Sequence, residues 1–297
     1  MAELDISEKR LPQDGRISLR LGSRSVDVRV STLPCAHGER AVLRLLDKSA
    51  VNLQLESIGM AGNLLLQVSE VLKQPNGLFL VTGPTGSGKT TTLYAALKRL
   101  NALQVNIMTV EDPVEYELPG IGQTQVNSKI DLTFSSALRS ILRQDPDVIM
   151  IGEIRDSETA RIAVQASLTG HLVIATLHTN DAPSAVTRLT DMGVEPYLLS
   201  SSLLGVLGQR LVRKICLACQ GKGCVSCGHS GYLGRVGVFE MMRVNERIRQ
   251  LIHDGAAEAD VRDAAIDSSM LPMRTYGQSL VDDGITTHEE LLRVTKD

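Results

Sequence analysis

Lys89 and Thr90 close the stretch Gly83-Pro-Thr-Gly-Ser-Gly-Lys-Thr90, which fits G-x-x-x-x-G-K-[ST] at every fixed position. Glycines let backbone N–H groups turn inward on an anion. The Lys89 ammonium is then placed to reach the β- and γ-phosphates of a nucleotide, and the Thr90 hydroxyl to hold Mg²⁺. The candidate phosphate contacts are Gly83, Pro84, Thr85, Gly86, Ser87, Gly88, Lys89, Thr90 and Thr91. This pattern carries such chemistry only between a strand and a helix. Gly77-Leu-Phe-Leu-Val-Thr82 before it reads as a short buried strand. Thr91 to Asn101 after it reads as a helix with Leu93, Ala96, Leu97 and Leu100 on one side. The N-terminus of that helix adds partial positive charge at the loop.

Val148-Ile-Met-Ile-Gly-Glu153 is an apolar run ending in a carboxylate. A buried strand that delivers an acid to the sheet's C-terminal edge brings it beside a phosphate loop. Glu153 would hold Mg²⁺ through water or polarise an attacking water; an acid at a helix start is the plainer alternative. The usual pattern ends its apolar run in aspartate, whereas here a glycine precedes the glutamate. Thr109-Val-Glu-Asp-Pro-Val-Glu-Tyr116 brings Glu111, Asp112 and Glu115 to the end of a second strand. Three acids near phosphate need a metal or arginine to offset them, unless the segment is simply a polar loop. Leu172-Val-Ile-Ala-Thr-Leu-His178 ends a third apolar run in a histidine, either structural or a sensor of the γ-phosphate. Arg139 and Arg143 lie four apart, on one helix face, and Arg29 and Arg44 lie on strands near the N-terminus. Pattern alone leaves these four as solvated charges, although arginine is the natural clamp for phosphoryl charge.

Cys216-x-x-Cys219-x₄-Cys224-x-x-Cys227 pairs two C-x-x-C knuckles. Four thiolates in that arrangement suit tetrahedral Zn²⁺, with free thiols or another metal as the alternative. The gap between the pairs is shorter than usual. Cys35 stands outside the set.

The elements that must position these groups divide the 297 residues into several parts. Arg16–Leu21 and Ser25–Ser31 alternate apolar and polar residues, with a hairpin signal at Gly22-Ser-Arg24, and Glu39–Asp47 supplies a third strand. Residues 1–56 thus read as part of a small β-rich domain whose other elements would precede Met1. A connector spans 57–62, and a helix is expected over 61–73. Strands at 78–82, 106–110, 147–151 and 172–177 alternate with helices near 90–101, 133–142, 156–168 and 181–192. That alternation predicts a parallel sheet covered on both faces. Beyond Pro196 the chain reads as helical through Leu211. A core over 63–212, a cysteine module over 213–235 and a C-terminal helical region over 236–297 complete the division.

Hydrophobic residues make up 43% of the chain, aromatics only 3%, and tryptophan is absent, so the cores must be aliphatic. A formal net charge of −3 is not the footprint of a nucleic-acid binder. No apolar run approaches the ~20 residues of a membrane span, and the charged Met1–Arg10 segment is no signal peptide. The chain is therefore expected in the cytoplasm, with membrane contact only through partners and no nucleic-acid partner. A RecA-like DNA translocase shares the motif, but the charge and the missing aromatic-basic stretches argue against it.

Taken together, Gly83–Thr90, Thr109–Tyr116, Ile-Gly-Glu-Ile-Arg-Asp156, Thr-Leu-His-Thr-Asn180 and the tetracysteine loop resemble the type II secretion ATPases, the general secretory pathway protein E branch of the secretion/pilus traffic ATPases. Arg29-Val-Ser-Thr-Leu-Pro34, Arg44-Leu-Leu-Asp-Lys48, Leu142-Arg-Gln-Asp-Pro146 and Gln209-Arg-Leu-Val212 agree with it, so the likeness runs nearly the whole chain. It implies an α/β fold: a RecA-like P-loop NTPase core, a small partial α+β N-terminal domain and a C-terminal tetracysteine/helical region. It implies ATP, Mg²⁺ and Zn²⁺ as cofactors, a homo-hexameric ring and inner-membrane platform proteins as partners. Glu153 takes the catalytic acid role, Glu111 a second acidic role and His178 the sensor role. Arg29, Arg44, Arg139 and Arg143 would stabilise the γ-phosphate. Type IV pilus extension ATPases share the cysteine loop and are the nearest alternative. Family members carry a longer segment between the cysteine pairs, and the platform-docking region would lie before Met1.

Overall fold

Apolar alternation near the N-terminus produces three antiparallel strands, β1 (Gln13–Leu21), β2 (Arg24–Cys35) and β3 (Gly38–Asp47). The structure is a computed structural model and describes residues 2, 4–21, 24–47, 53–100 and 105–295. Gly22 and Ser23 of the expected hairpin turn, Lys48, and Asn101 at the expected helix end lie outside the described residues. Register places Arg16 opposite Arg29 and Arg29 opposite Arg44, so three guanidinium side chains share one face. Like charges directly opposed are unfavourable. Asp27, fully buried, counters part of this by accepting from Arg16 Nε at 2.7 Å and from Ser18 Oγ at 2.7 Å.

This sheet belongs to one compact unit, residues 1–52, and residues 53–297 form a second. The second unit contains, in chain order, α1 (Gly62–Leu72), β4 (Gly77–Thr82), α2 (Lys89–Arg99), β5 (Ile107–Glu111), β6 (Gly122–Gln125), α3 (Phe134–Ile141), β7 (Val148–Ile151), α4 (Ser157–Leu168), β8 (Leu172–Leu177), α5 (Ser184–Asp191) and α6 (Pro196–Ser202). It continues through β9 (Leu203–Ile215), β10 (Tyr232–Arg243), α7 (Glu246–His253), α8 (Glu258–Asp267), α9 (Met273–Asp282) and α10 (His288–Val294). Among the described residues the strands form one seven-stranded sheet in the order β10-β9-β4-β8-β7-β5-β6. The pairings from β9 to β6 are parallel, and β10 runs antiparallel on β9.

Strands β4, β7 and β8 are buried along their whole length, as a parallel sheet covered on both faces requires. Leu138 of α3, Ala163 of α4, Leu189 of α5 and Ile248 of α7 share one core with Leu78, Ile149 and Val173 of the strands. A separate cluster of Val212, Val238, Met273, Leu280 and Leu291 seats α9 and α10 on β9 and β10. Helix starts follow local chemistry. Asp156 caps α4 by accepting from Thr159 N at 2.8 Å, and Thr133 and Ser136 form a reciprocal capping box on α3.

Two expectations are corrected. The helix expected to continue through Leu211 ends at Ser202, and residues 203–215 are strand β9. An apolar run buried on both faces has no period to separate helix from strand. The glycines inside it decide the matter. A Cβ on Gly205 would lie 2.9 Å from Met242 O, and one on Gly208 would lie 2.7 Å from the Glu240 side chain. These close approaches are cross-strand contacts with β10. Likewise, residues 236–243, expected in a helical region, are the body of β10 and belong to the core sheet. The short edge strand β6 was not expected at all; its sequence Gly-Gln-Thr-Gln carries no apolar signal.

Candidate active site

The sheet order explains how the sequence motifs meet. β4, β8, β7 and β5 are adjacent and parallel, with Thr82 level with Leu177, Ile151 level with Ala175, and Val110 level with Ile151. Their C-terminal ends therefore form one edge, carrying the glycine loop, His178, Glu153 and the Glu111–Asp112 pair.

The loop from Gly83 to Gly88 feeds directly into α2, which starts at Lys89. Gly86 and Gly88 have φ of 80° and 90°, a left-handed backbone that only glycine adopts without cost. Pro84, Thr85, Gly86 and Thr90 are exposed, Thr91 is half-buried, and Ser87 and Lys89 are buried. Lys89 Nζ donates to Gly83 O at 2.8 Å and Pro84 O at 3.1 Å, which parks the ammonium inside the loop. Burial lowers its pKa, Glu153 opposes that shift and Arg210 adds to it. Ser87 Oγ is buried with no hydrogen-bond partner among the described residues. A loop with an inward ammonium and an unsatisfied hydroxyl fits a phosphate ligand.

Glu153 follows β7 through Gly152, and the structure gives a reason for that glycine. A Cβ there would lie 3.2 Å from Val110 O and 3.3 Å from Glu111 Cα, so the end of β7 passes close against the end of β5. The Glu153 carboxylate is mostly shielded, its side chain 18% exposed. Its Oε1 lies 2.8 Å from His178 Nε2 and its Oε2 accepts from Arg155 Nε at 2.8 Å. Arg155 Nη1 also lies 3.5 Å from Asp112 Oδ2. Burial, followed by the Lys89 charge, lowers the His178 pKa, with Glu153 opposing. A ring held below the ordinary histidine value is neutral at pH 7. Its Nε2–H then donates to Glu153, leaving Nδ1 as an acceptor.

Glu111 is placed differently from Glu153. It is fully buried, and its oxygens accept from the Tyr94 hydroxyl, from Thr109 Oγ1 at 2.7 Å and from Gln123 Nε2 at 3.0 Å. Burial first, then Glu111, push the Tyr94 phenol well above its ordinary value, so it remains a donor. The same hydroxyl accepts from Glu115 N at 3.1 Å. Tyr94 thus ties α2 to the acid-rich segment. Arg139 and Arg143 are exposed: Arg139 pairs with Glu158 at 2.5 Å, and Arg143 donates to Arg139 O at 2.9 Å. Among the described residues neither bonds to Lys89, Glu153 or His178. Arg29 and Arg44 lie in the other unit, on β2 and β3.

Sequence reasoning missed the residues that hold these groups in place. The four residues after His178 are each fixed by a different element. Thr179 Oγ1 lies 2.6 Å from Thr82 Oγ1, Asn180 O accepts from Arg210 at 2.5 Å, Asp181 pairs with Arg262 at 2.8 Å, and Ala182 N donates to Glu240 at 2.7 Å. Glu240 is buried, and burial raises its pKa. Arg155 had a signal, two positions after Glu153. Gln209 and Arg210 had one too, as polar residues inside an apolar run.

Between β9 and β10 the four cysteines converge. Their sulfurs all lie within 4.8 Å of one another, with Cys216–Cys224 at 3.9 Å, Cys219–Cys227 at 3.8 Å and Cys224–Cys227 at 3.7 Å. A tetrahedron with Zn–S bonds of about 2.3 Å has edges of about 3.8 Å, so the set fits that ion. Gly223 N donates to Cys219 Sγ and Cys224 N to Cys227 Sγ, each at 3.2 Å. Without a metal the cluster splits its protons: the Cys224 N–H holds the Cys227 thiol down to about 6, whereas burial pushes the Cys219 thiol up to about 11.

A family model described as Type II/IV secretion system protein matches residues 1–293. The chain is 62% identical over 305 residues to the type II secretion system protein HxcR of Pseudomonas aeruginosa, covering 100% of this chain and 65% of that protein. It is 54% identical over 322 residues to the type II secretion system ATPase E of Vibrio cholerae, covering 100% of this chain and 64% of that protein. It thus spans less than two thirds of the length of these relatives. Among solved structures it is similar to the pilus retraction motor PilT with bound ADP, at a TM-score of 0.76 and 31% identity, over 97% of this chain and 78% of that one.

Proposed function

The chain belongs to the Type II/IV secretion system protein family, and on that premise we propose that it is an ATP-hydrolysing motor of a bacterial type II secretion system. Its larger unit is an α/β, RecA-like P-loop core. Hydrolysis would power pseudopilus assembly and protein export across the outer membrane. Glu153 carries the reading: a shielded carboxylate bonded to His178 and Arg155, and electrostatically coupled to Lys89.

ATP would lie with its phosphates in the Gly83–Thr90 loop, Lys89 exchanging loop carbonyls for β- and γ-phosphate oxygens. Thr90, exposed at the start of α2, would hold Mg²⁺, which spreads the phosphate charge when bound. Glu153 orients and polarises the attacking water, while Arg155 fixes the carboxylate. The neutral His178 ring reports on the γ-phosphate. Catalysis is then positioning and charge neutralisation. Arg29, Arg44, Arg139 and Arg143 are proposed to clamp phosphoryl charge within or between subunits of a hexamer, and Glu111 to act through Tyr94. Cys216, Cys219, Cys224 and Cys227 would hold structural Zn²⁺. Among the described residues no helix is long and apolar enough to cross a membrane. A cytoplasmic subunit recruited by inner-membrane platform proteins suits that. Pilus extension is the second reading: the fold is shared with a pilus motor, although PilT is a retraction motor, and the 62% identity to HxcR favours secretion.

The test is steady-state, Mg²⁺-dependent ATPase rate against protein concentration, with mass followed by light scattering. A rate per subunit that rises with assembly, and vanishes in Lys89→Ala, is expected. Turnover undiminished in Lys89→Ala would sink the reading.

A further inference from the structure

Gln209 is a polar residue in the middle of the apolar strand β9, 1% exposed, with both ends of its amide used. Its Nε2 donates to the Ser87 carbonyl at 2.8 Å, and its Oε1 accepts from Thr92 Oγ1 at 2.7 Å. Ser87 lies in the phosphate loop and Thr92 in the first turn of α2, so one amide joins the loop to the helix it feeds. The fit is close. A Cβ on Gly88 would lie 2.9 Å from Gln209 Nε2, and one on Gly83 would lie 2.4 Å from Gln209 O. The pairing of Thr82 with Gly208 brings this part of β9 to the loop.

The consequence follows from peptide geometry. In a trans peptide the C=O of one residue and the N–H of the next point in opposite directions. A Ser87 carbonyl held on Gln209 therefore turns the Gly88 N–H away from β9. Released, the same peptide can rotate, because Gly88 at φ 90° has no side chain to stop it. An inward carbonyl would then face phosphate with the wrong sign of charge. We propose that Gln209 is a positioning residue for nucleotide binding: it fixes the Ser87–Gly88 peptide so that the loop presents N–H groups to the phosphates. This rests on the nucleotide-binding reading of the loop. The role lies outside the loop's own sequence pattern, 121 residues further along the chain from Gly88.

The test uses the full chain with a fluorescent ADP analogue and Mg²⁺, alongside thermal melting without nucleotide. Gln209→Glu keeps the size and the acceptor for Thr92 but sets a carboxylate oxygen against the Ser87 carbonyl. ADP affinity is expected to fall roughly tenfold or more, as loss of one buried hydrogen bond implies. In ATP turnover KM should rise in step, while kcat at saturation stays within about threefold, because the groups around Glu153 are untouched. Should that variant not fold, Gln209→Met keeps the volume without donor or acceptor and carries the same expectation. ADP affinity unchanged in a folded variant, whether or not its melting temperature falls, overturns the proposal and leaves Gln209 a packing residue. A wild-type chain that binds no ADP overturns the nucleotide reading itself, and this inference with it.

Discussion

At Glu153 a neutral ring and two cations converge. His178 and Arg155 each lie 2.8 Å from one of its oxygens, and the Lys89 ammonium is within electrostatic reach. Glu153→Gln removes the charge but keeps the shape. It should still bind ATP within about threefold of wild type while turnover falls by roughly 10²–10⁴, the usual worth of a positioned acid or base. Nucleotide titration beside steady-state rates checks this; loss of binding and turnover together would mean that the residue holds the site rather than acting in it. The residue types here were legible from their places at strand ends. Their division of labour was not. Glu111 and Glu153 both end apolar runs, yet Glu111 is enclosed by Tyr94, Thr109 and Gln123, and Glu153 is held by His178 and Arg155. The partners that come from other elements, Tyr94 of α2, Gln123 of β6 and His178 after β8, leave no trace in the sequence around either acid.

At the scale of elements, β9 and β10 link the nucleotide edge to the cysteine module. Gln209 and Arg210 reach the loops after β4 and β8, and Cys216 follows the last residue of β9. The ladder from Arg235–Arg213 to Arg243–Gly205 pairs these strands independently of the cysteines. Chelating the proposed zinc should therefore loosen residues 216–231 and leave the ladder intact. Hydrogen exchange followed by mass spectrometry would show faster exchange confined to that segment. Global unfolding on chelation would instead mean that the metal, which can be worth ~10 kcal/mol or more in small zinc domains, holds the whole sheet edge. The cysteine spacing pointed to a four-sulfur cluster, and the four sulfurs do converge. The strands on either side were harder to read, because a run buried on both faces loses the alternation that marks a strand.

At the scale of the whole molecule, residues 53–297 hold the loop, Glu153, His178, the cysteine cluster and their own hydrophobic cores. Such a unit should fold alone. Expressed by itself, it is expected to bind ADP within about threefold of the 297-residue chain, since the phosphate loop and Gln209 lie inside it. Isothermal titration of the two proteins checks this, and ADP binding lost in the shorter one would assign part of the site to residues 1–52.

By itself the sequence determined the chemistry available to the chain. The glycine loop, the strand-end acids and histidine, and the paired cysteines are local patterns, set by backbone freedom and by the alternation of apolar runs with polar ends. Tertiary structure alone decided which of these groups meet. Glu153, His178 and the loop share one edge because β4, β8 and β7 are neighbours in the sheet but not in the chain. Gln209 reaches Ser87, and Glu240 reaches Ala182, because β9 and β10 complete the far side of that sheet. Strand order comes from burying the apolar faces of distant segments against one another, a constraint no single stretch of sequence contains.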